Sequence, residues 1–210
     1  MEYGTESSNH MKFFTIFDGN LVTREPEGTA ETTMRTTSTG RDVWEKTHNF
    51  VSGMLTGGGI VVKEFDKKKV PEIQVILDDE GMVQIPMYLL KNIGYVTPNI
   101  DKDQPLKFRT YKTKKGSVVL ELSQNGAKLE NHFVDWNEVD GKWVPTYKNG
   151  CPAPTHDDID GWDYRDHDKF LKKVVMEFFT DGFAPASDPV AVVQEALGGT
   201  VVEDETDVPF

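Results

Sequence analysis

Cysteine and long apolar segments are scarce in this chain, and each scarcity excludes a class of protein. The single cysteine, Cys151, cannot form an internal disulfide, which favours the reducing cytoplasm over a disulfide-rich secreted scaffold. Apolar runs are only a few residues long, so no segment is expected to cross a membrane. Residues 1–10 are polar, lack the apolar stretch of a signal peptide and are expected to form a disordered leader.

Basic residues are missing from the C-terminal end of the chain. Residues 181–210 contain seven acidic residues and no lysine or arginine, whereas residues 1–150 contain 21 acids and 19 bases. The formal charge of -12 therefore arises mostly outside the first 150 residues. This asymmetry predicts a nearly neutral folded domain over residues 11–180 and an acidic tail over residues 181–210.

Short runs of alternating apolar and polar residues predict a mainly β protein. The first five expected strands lie at residues 43–54, 59–65, 72–77, 106–113 and 117–123, with a turn at Gly57-Gly58. Pro86 and an apolar face ending at Gly94 predict a short helix between the third and fourth strands. This element order is that of an OB-fold, a five-stranded Greek-key barrel, although an SH3-like barrel would give a similar pattern.

Further elements surround this expected barrel. Residues 129–139 and 142–147 predict an extra hairpin, and apolar residues spaced three and four apart predict an amphipathic helix over 168–180. A weaker helix is expected to begin near Ser187. Residues 23–41 are rich in Thr, Glu, Gly and Ser and are expected to form a mobile arm.

The strand-like run at residues 106–113 has a pattern suited to single-stranded nucleic acid. If it is a strand, Lys107, Arg109 and Tyr111 share the face opposite the core. The two cations are expected to meet phosphates and the phenol ring to stack on an unpaired base, without sequence preference. Lys112, Lys114 and Lys115 extend the positive charge, and no acid lies between Lys107 and Lys115. The alternative is an edge strand whose lysines are merely solvated.

Other basic and aromatic residues complete the expected DNA-binding surface. It includes two arginines of the arm, a Trp–Lys pair expected on one face of the first strand, and three lysines in a turn: Arg35, Arg41, Trp44, Lys46, Lys67, Lys68 and Lys69. Trp136, Trp143 and Tyr147 add aromatic residues, but each is expected to lie in the core rather than to stack on bases.

The chain ends in an acidic run followed by an aliphatic residue, proline and a terminal phenylalanine. This end closely resembles the terminus of bacterial-type single-stranded-DNA-binding proteins, and the chain as a whole resembles the phage-encoded proteins of that class. The resemblance implies an OB-fold that binds and protects single-stranded DNA in replication, recombination or repair. It also implies recruitment of partner proteins through the tip residues, which are Asp204, Glu205, Asp207, Val208, Pro209 and Phe210. Thr206 interrupts the acidic run and departs from the pattern.

The tail also imitates the expected ligand, with carboxylates in place of phosphates and Phe210 in place of a base. We therefore expect the tail to compete with DNA for the basic surface and to become available to partners when DNA binds. Self-association along DNA is a further expectation, since cooperative coating of a strand is common in this class. No cofactor is expected, and no membrane partner.

Two other functions fit parts of the sequence. Asp78, Asp79 and Glu80 follow an apolar strand, as the metal-binding carboxylates of some nucleases do, but a turn at Asp79-Glu80-Gly81 that ends the strand is the simpler explanation. A purely acidic, DNA-mimicking adaptor or inhibitor would explain the tail but not the basic run. Cys151, His156 and His167 lack the paired spacing of a zinc site, so no metal site and no catalytic residue is expected.

Overall fold

The computed structural model describes residues 11–37, 39–65, 68–157 and 161–181. Strands dominate these residues and helices are few, so the prediction of a mainly β chain with added helices is confirmed. The predicted sites at Lys67 and at the six tip residues (204, 205 and 207–210) lie outside the described residues, as do the leader and the expected helix near Ser187.

Seven strands form the larger sheet, in the order β3-β4-β2-β1-β8-β7-β6. Neighbours are antiparallel except β1 and β8, which run parallel with Phe14 opposite Val83. The strands of this sheet are β1 (Lys12–Phe17), β2 (Asn20–Glu25), β3 (Thr32–Thr36), β4 (Asp42–His48), β6 (Leu55–Phe65), β7 (Lys68–Leu77) and β8 (Gly81–Pro86).

A smaller sheet has the strand order β11-β10-β9-β5, all antiparallel. Its strands are β5 (Val51–Gly53), β9 (Leu106–Lys112), β10 (Val118–Gln124) and β11 (Ala127–Lys128). Since β5 and β6 are separated only by Met54, one nearly continuous segment supplies a strand to each sheet. The two sheets are therefore joined through residues 51–65.

The described strands form open sheets and do not close into the barrel that the sequence pattern predicted. The edge of β8 that faces away from β7 is paired with β1. Because the N-terminal strand takes this edge, β8 has no free edge on which β10 could close. The sequence pattern did not predict a strand at residues 12–17, so the pairing of β1 with β8 was not expected.

The described residues contain two helices and two single 3-10 turns. A 3-10 turn (Met87–Leu89) leads into α1 (Leu90–Gly94), and a second turn (Thr97–Asn99) follows. The helix α2 (Arg165–Thr180) has its apolar face toward the core, with Leu171 and Val175 fully buried. Both helices agree with the predicted ones in place and in buried face. No helix in the described part of the chain has the length and apolarity needed to cross a membrane.

One apolar core joins both sheets and both helices. Val75 and Ile85 contribute from the larger sheet, Phe108 and Leu122 from the smaller sheet, and Leu171 from α2, all with at most 2% of their surface exposed. Burial of apolar area is the main favourable term in folding, so the two sheets and α2 are expected to stabilise one another.

Two segments differ from the sequence-based expectation. The segment 23–41, expected to be a loop-like arm, contains the end of β2 and all of β3, which pairs with β4 at the sheet edge. Gly57 and Gly58 were expected to form a turn but lie inside β6, opposite Ile76 and Val75. A side chain at Gly58 would collide with Phe179 of α2, so glycine here permits close helix packing rather than chain reversal.

Two small hairpins stand apart from these sheets. The strands β12 (Val134–Val139) and β13 (Lys142–Tyr147) pair as predicted around Asp140-Gly141. The strands β14 (Thr155–Asp157) and β15 (Gly161–Asp163) form a second, shorter hairpin immediately before α2.

Candidate nucleic-acid interface

Strand β9 alternates between the core and the surface along its length. Leu106 and Phe108 are buried, with 1% and 0% of their surface exposed. Lys107, Arg109 and Tyr111 point to the opposite face and are partly or largely exposed. The alternation follows from the two-residue period of a strand. The structure thus brings together the three residues on which the sequence argument depends.

The neighbouring strands contribute their own side chains to this outer face. Residues directly opposite in register point to the same side of a sheet. Arg109 lies opposite Glu121 of β10, and Tyr111 lies opposite Val119. Ser123 of β10 pairs with Lys107 on one side and with Lys128 of β11 on the other, so Lys128 points to the same side of the sheet. We call this surface the β9 face and define it by six residues, which are Phe50, Lys107, Arg109, Tyr111, Glu121 and Lys128.

Phe50 is the member of the β9 face that the sequence argument missed. It precedes β5, half of its surface is exposed, and the Nζ of Lys107 lies 3.9 Å from its ring centroid. A cation over an aromatic face is attracted by the ring quadrupole. Strand alternation places Phe50 on the same side as Ser52, which is exposed, and this alternation is visible in the sequence. The strand that pairs with β5 could not be identified from the sequence.

The charge of the β9 face is positive. Its one acid, Glu121, lies 3.5 Å from the Nζ of Lys128. Arg109 is exposed and forms no ion pair with any residue that the structure describes. An exposed guanidinium beside an aromatic ring and a second cation is the arrangement that a phosphate backbone with unpaired bases requires.

Three lysines lie at the far end of β9, Lys112 as its last residue and Lys114 and Lys115 in the turn that follows. Lys112 forms an ion pair with Asp18 in the turn between β1 and β2, which holds its ammonium at that turn. Lys114 and Lys115 are exposed in the turn closed by the hydrogen bond from Thr113 N to Ser117 O, 2.9 Å long. Only these last two extend the positive charge of the β9 face toward solvent.

Arg35 is bound to a carboxylate in the larger sheet. Its Nη2 and Nε lie 2.8 and 3.1 Å from the two carboxylate oxygens of Glu45, and its Cζ lies 4.1 Å from the ring centroid of Phe17. Arg35 lies opposite Val43, whereas Trp44 points to the other side of β4. Arg41 is exposed in the turn between β3 and β4.

Trp44 and Lys46 share a face of β4, as expected, but the lysine has a partner. Its Nζ lies 2.8 Å from a carboxylate oxygen of Glu31. The hydrogen bond with Glu31 and its charge raise the pKa of Lys46 above its ordinary value. Contact of Arg35, Trp44 and Lys46 with DNA stays a prediction. To bind a phosphate, Arg35 and Lys46 would each have to release the carboxylate with which they are paired.

Lys68 and Lys69 are exposed at the tip of the hairpin formed by β6 and β7. Toward this tip, the pairing of β7 with β8 ends at Glu72. Lys68 lies four residues farther toward the tip, about 13 Å at the rise of a strand. The position on a projecting ribbon separates these lysines from the β9 face.

Two tryptophans of the hairpin β12–β13 are exposed. Trp136 and Trp143 have 51% and 66% of their surface exposed, so the expectation that they fill the core was wrong. Tyr147 is half-buried, and its ring centroid lies 5.3 Å from that of His167. The expectation failed because the hairpin packs against the core only at the end that contains Val134 and Tyr147.

The carboxylates considered for a nuclease serve the turn between β7 and β8. Asp78 and Asp79 have positive φ angles, and an oxygen of Asp78 accepts a hydrogen bond of 2.8 Å from the backbone N–H of Met54. In the described ranges, no three His, Cys, Asp or Glu side chains are grouped as the ligands of a metal ion.

Cys151 and His167 lie together in the core. The Sγ of Cys151 is 3.7 Å from the Nδ1 of His167, which lies 2.7 Å from the carbonyl oxygen of Pro152. The Nε2 of His167 lies 2.8 Å from the hydroxyl of Tyr95. Burial raises the pKa of the Cys151 thiol to about 11, so it is protonated at neutral pH.

Comparison of the chain with models of protein families, with curated proteins and with solved structures gave no match. The geometry of the described residues therefore has to carry any functional argument.

Proposed function

We propose that this protein binds and protects single-stranded DNA, without sequence specificity, on the β9 face. The observation that carries the proposal is the common exposed face of Lys107, Arg109 and Tyr111. Cations on this face would neutralise phosphates, and the rings of Phe50 and Tyr111 would stack on unpaired bases. Every base has a stacking face, so no sequence preference is expected. Roles in replication, recombination or repair would follow.

We also propose that residues 51–124 are an open variant of the OB-fold. Two features support this proposal. The strands β5–β6, β7 and β8, then α1, then β9 and β10 follow the element order of that fold. In addition, the segment 51–65 pairs with β7 at one end and with β9 at the other, as a strand that bridges two halves of a barrel would.

The acidic tail is proposed to recruit partner proteins. Its support is the sequence of the tip, in which acidic side chains precede the aromatic ring of Phe210. A pocket with an apolar slot and a basic rim on a partner could hold both groups. We place this activity in the cytoplasm of a host cell, consistent with a single, buried thiol.

The first experiment tests the β9 face by titration with oligo-dT at several salt concentrations. Arg109→Gln should weaken binding and reduce the slope of log affinity against log salt by about 0.7, the value for one phosphate on a single strand. Lys172→Gln is the matched control, because Lys172 is an exposed cation on α2. Equal slopes for the two variants and the wild type would contradict the proposal.

The same titration separates stacking from charge. Tyr111→Ala should weaken binding by ~1–3 kcal/mol, the usual contribution of one stacked base, whereas Tyr111→Phe keeps the ring and should bind nearly as the wild type does. If both variants bind equally well, the ring of Tyr111 does not stack on DNA.

A further inference from the structure

The hairpin β12–β13 carries aromatic residues on one of its two faces. Trp136 lies opposite Pro145, and Trp143 lies two register positions farther along, opposite Glu138. Residues at these positions point to the same side, so the two indole side chains share a face with Tyr147. Among the described strands, β12 and β13 pair only with each other. We call this surface the tryptophan face.

The tryptophan face is anchored at one end and open at the other. Val134, with 2% of its surface exposed, and Tyr147 pack into the core, whereas exposure increases through Trp136 to Trp143. Burial raises the pKa of the Tyr147 hydroxyl, which agrees with its place at the anchored end. Two large aromatic side chains exposed on one face form an apolar patch of the kind that marks interaction sites on proteins.

A groove of about 930 Å³ separates the tryptophan face from the smaller sheet. Trp136 and Tyr147 line one wall. Val119 and Glu121 of β10 line the other wall. In the register of the smaller sheet, these two residues pair with Tyr111 and Arg109 of the β9 face. The groove therefore begins where the β9 face ends, and the two surfaces are continuous across β10.

Three lysines line the groove and all are already engaged, Lys128 by the carboxylate of Glu121 at 3.5 Å. The Nζ of Lys148 lies 2.6 Å from a carboxylate oxygen of Asp135, and the Nζ of Lys91 lies 3.4 Å from the ring centroid of Tyr164. Partial burial lowers the pKa of Lys91. The groove is thus rich in rings but poor in cations available to phosphates, whereas the β9 face has an exposed Arg109.

We propose that the bases of a single DNA strand continue from the β9 face across the groove and stack on Trp136 and Trp143. The inference rests on the proposed function and extends it by a second contact region. The phosphates of the strand are bound mainly on the β9 face, and the groove and the tryptophan face receive bases. Unpaired bases are the occupant that matches an aromatic, electrically balanced groove continuous with a cationic surface.

The extended path predicts that the two regions depend differently on the length of the strand. A short oligonucleotide has too few bases to reach both, and a longer one reaches both. OB-folds cover from about 4 to about 16 nucleotides, so oligo-dT of these two lengths is the suitable pair of probes.

The experiment is the titration of the full-length protein with both oligonucleotides by fluorescence polarisation. Trp136→Ala and Trp143→Ala should each weaken binding of the long oligonucleotide by roughly 5- to 150-fold, equivalent to ~1–3 kcal/mol per stacked base, and leave the short one unchanged. Trp143→Phe keeps a ring and should restore most of the affinity. Val144→Ala is the matched control, because Val144 is exposed on the opposite face of the same strand.

The outcomes separate this inference from the proposed function. If the wild type binds neither oligonucleotide, the proposed function fails. If Arg109→Gln weakens binding but the tryptophan variants bind the long oligonucleotide as the wild type does, only the extended path is wrong. If Trp143→Ala instead abolishes self-association in sedimentation and leaves DNA affinity unchanged, the tryptophan face binds a second copy of the chain and the inference is overturned.

Discussion

His48, at the end of β4, shows how a single side chain can set a pH dependence. Its Nε2 lies 2.9 Å from the hydroxyl of Thr23, and its ring meets that of Phe14 edge-on with centroids 5.4 Å apart. Burial lowers the pKa of His48, and the nearby charges of Lys12 and Lys46 lower it further, against the opposing effect of Glu25. The ring is therefore protonated less readily in the folded protein than in the unfolded chain.

This shift predicts that the free energy of unfolding falls in mild acid. The unfolded ring titrates near pH 6.5 and the folded ring below it, so the unfolded state binds more protons between these values. The stabilisation is complete above about pH 6.5 and is lost as the pH falls through the folded pKa. Urea unfolding from about pH 8 to about pH 5 measures the effect.

The variant His48→Gln should lose this part of the pH dependence, since glutamine does not titrate. His156→Gln is the matched control, because His156 is exposed on β14 and its ring is not part of this cluster. A slope of stability against pH that is the same in His48→Gln as in the wild type would refute the assignment.

At the scale of elements, the packing of α2 on β6 depends on Gly58. A Cβ atom at this position would lie 2.5 Å from the carbonyl oxygen of Gln74 and 2.5 Å from the ring of Phe179. Both distances are far below van der Waals contact, and one of the atoms belongs to the backbone and cannot rotate away. The helix can approach the sheet this closely only because residue 58 lacks a side chain.

Gly58→Ala is therefore expected to destabilise the fold by about 1–3 kcal/mol, as overpacking usually does. Gly59→Ala is the control, because a Cβ atom at the next residue of the same strand would meet nothing within 4 Å. Urea unfolding of the two variants provides the comparison. Equal stability of both variants would show that α2 does not rest on residue 58.

Elements with a strong local pattern could be predicted from the sequence, and elements defined by distant partners could not. The hairpin predicted at 129–139 and 142–147 and the helix predicted at 168–180 were correct in type, because alternation and helical spacing are properties of neighbouring residues. The strand β1 was missed, and its parallel pairing with β8 depends on contacts about seventy residues apart. The glycines of β6 look like a turn until the position of α2 is known.

The same distinction applies to the candidate interface. The common face of Lys107, Arg109 and Tyr111 follows from strand alternation alone, and the structure has it. The ion pair between Arg35 and Glu45 joins β3 and β4, so it depends on a strand register that cannot be read from the sequence. For the same reason Phe50 was recognised only when the partner of β5 was known. The pairing of the hairpin β12–β13 was predicted, but its tryptophans were recognised as exposed only when its packing against the core was known.

At the scale of the whole molecule, charge is divided between two regions of the chain. The acids of residues 181–210 are linked through the chain to a domain whose β9 face is cationic. A tethered segment has an effective concentration on the order of millimolar at nearby sites, so we expect it to compete with DNA. Deletion of residues 203–210 should raise the affinity for oligo-dT, mainly at low salt where charge is least screened.

The measurement is a titration of full-length and truncated protein at two salt concentrations. Replacement of the acids by Asn and Gln, with Phe210 retained, is the control that separates charge from length. Equal affinity of the full-length and truncated proteins at low salt would exclude competition by the tail.

The sharing of residues 51–65 between two sheets has a consequence for how the chain folds as it is synthesised. The segment β6 finds its partner in β7 within a few residues, but β5 must wait until β9 has left the ribosome, about fifty residues later. Until then the inner side of the larger sheet has no cover from Phe108, and cover from α2 comes later still, because that helix lies at residues 165–180. A nascent chain halted near residue 100 should therefore expose apolar surface and depend on chaperones. This dependence should decrease once β9 is complete and end only after α2 has been synthesised.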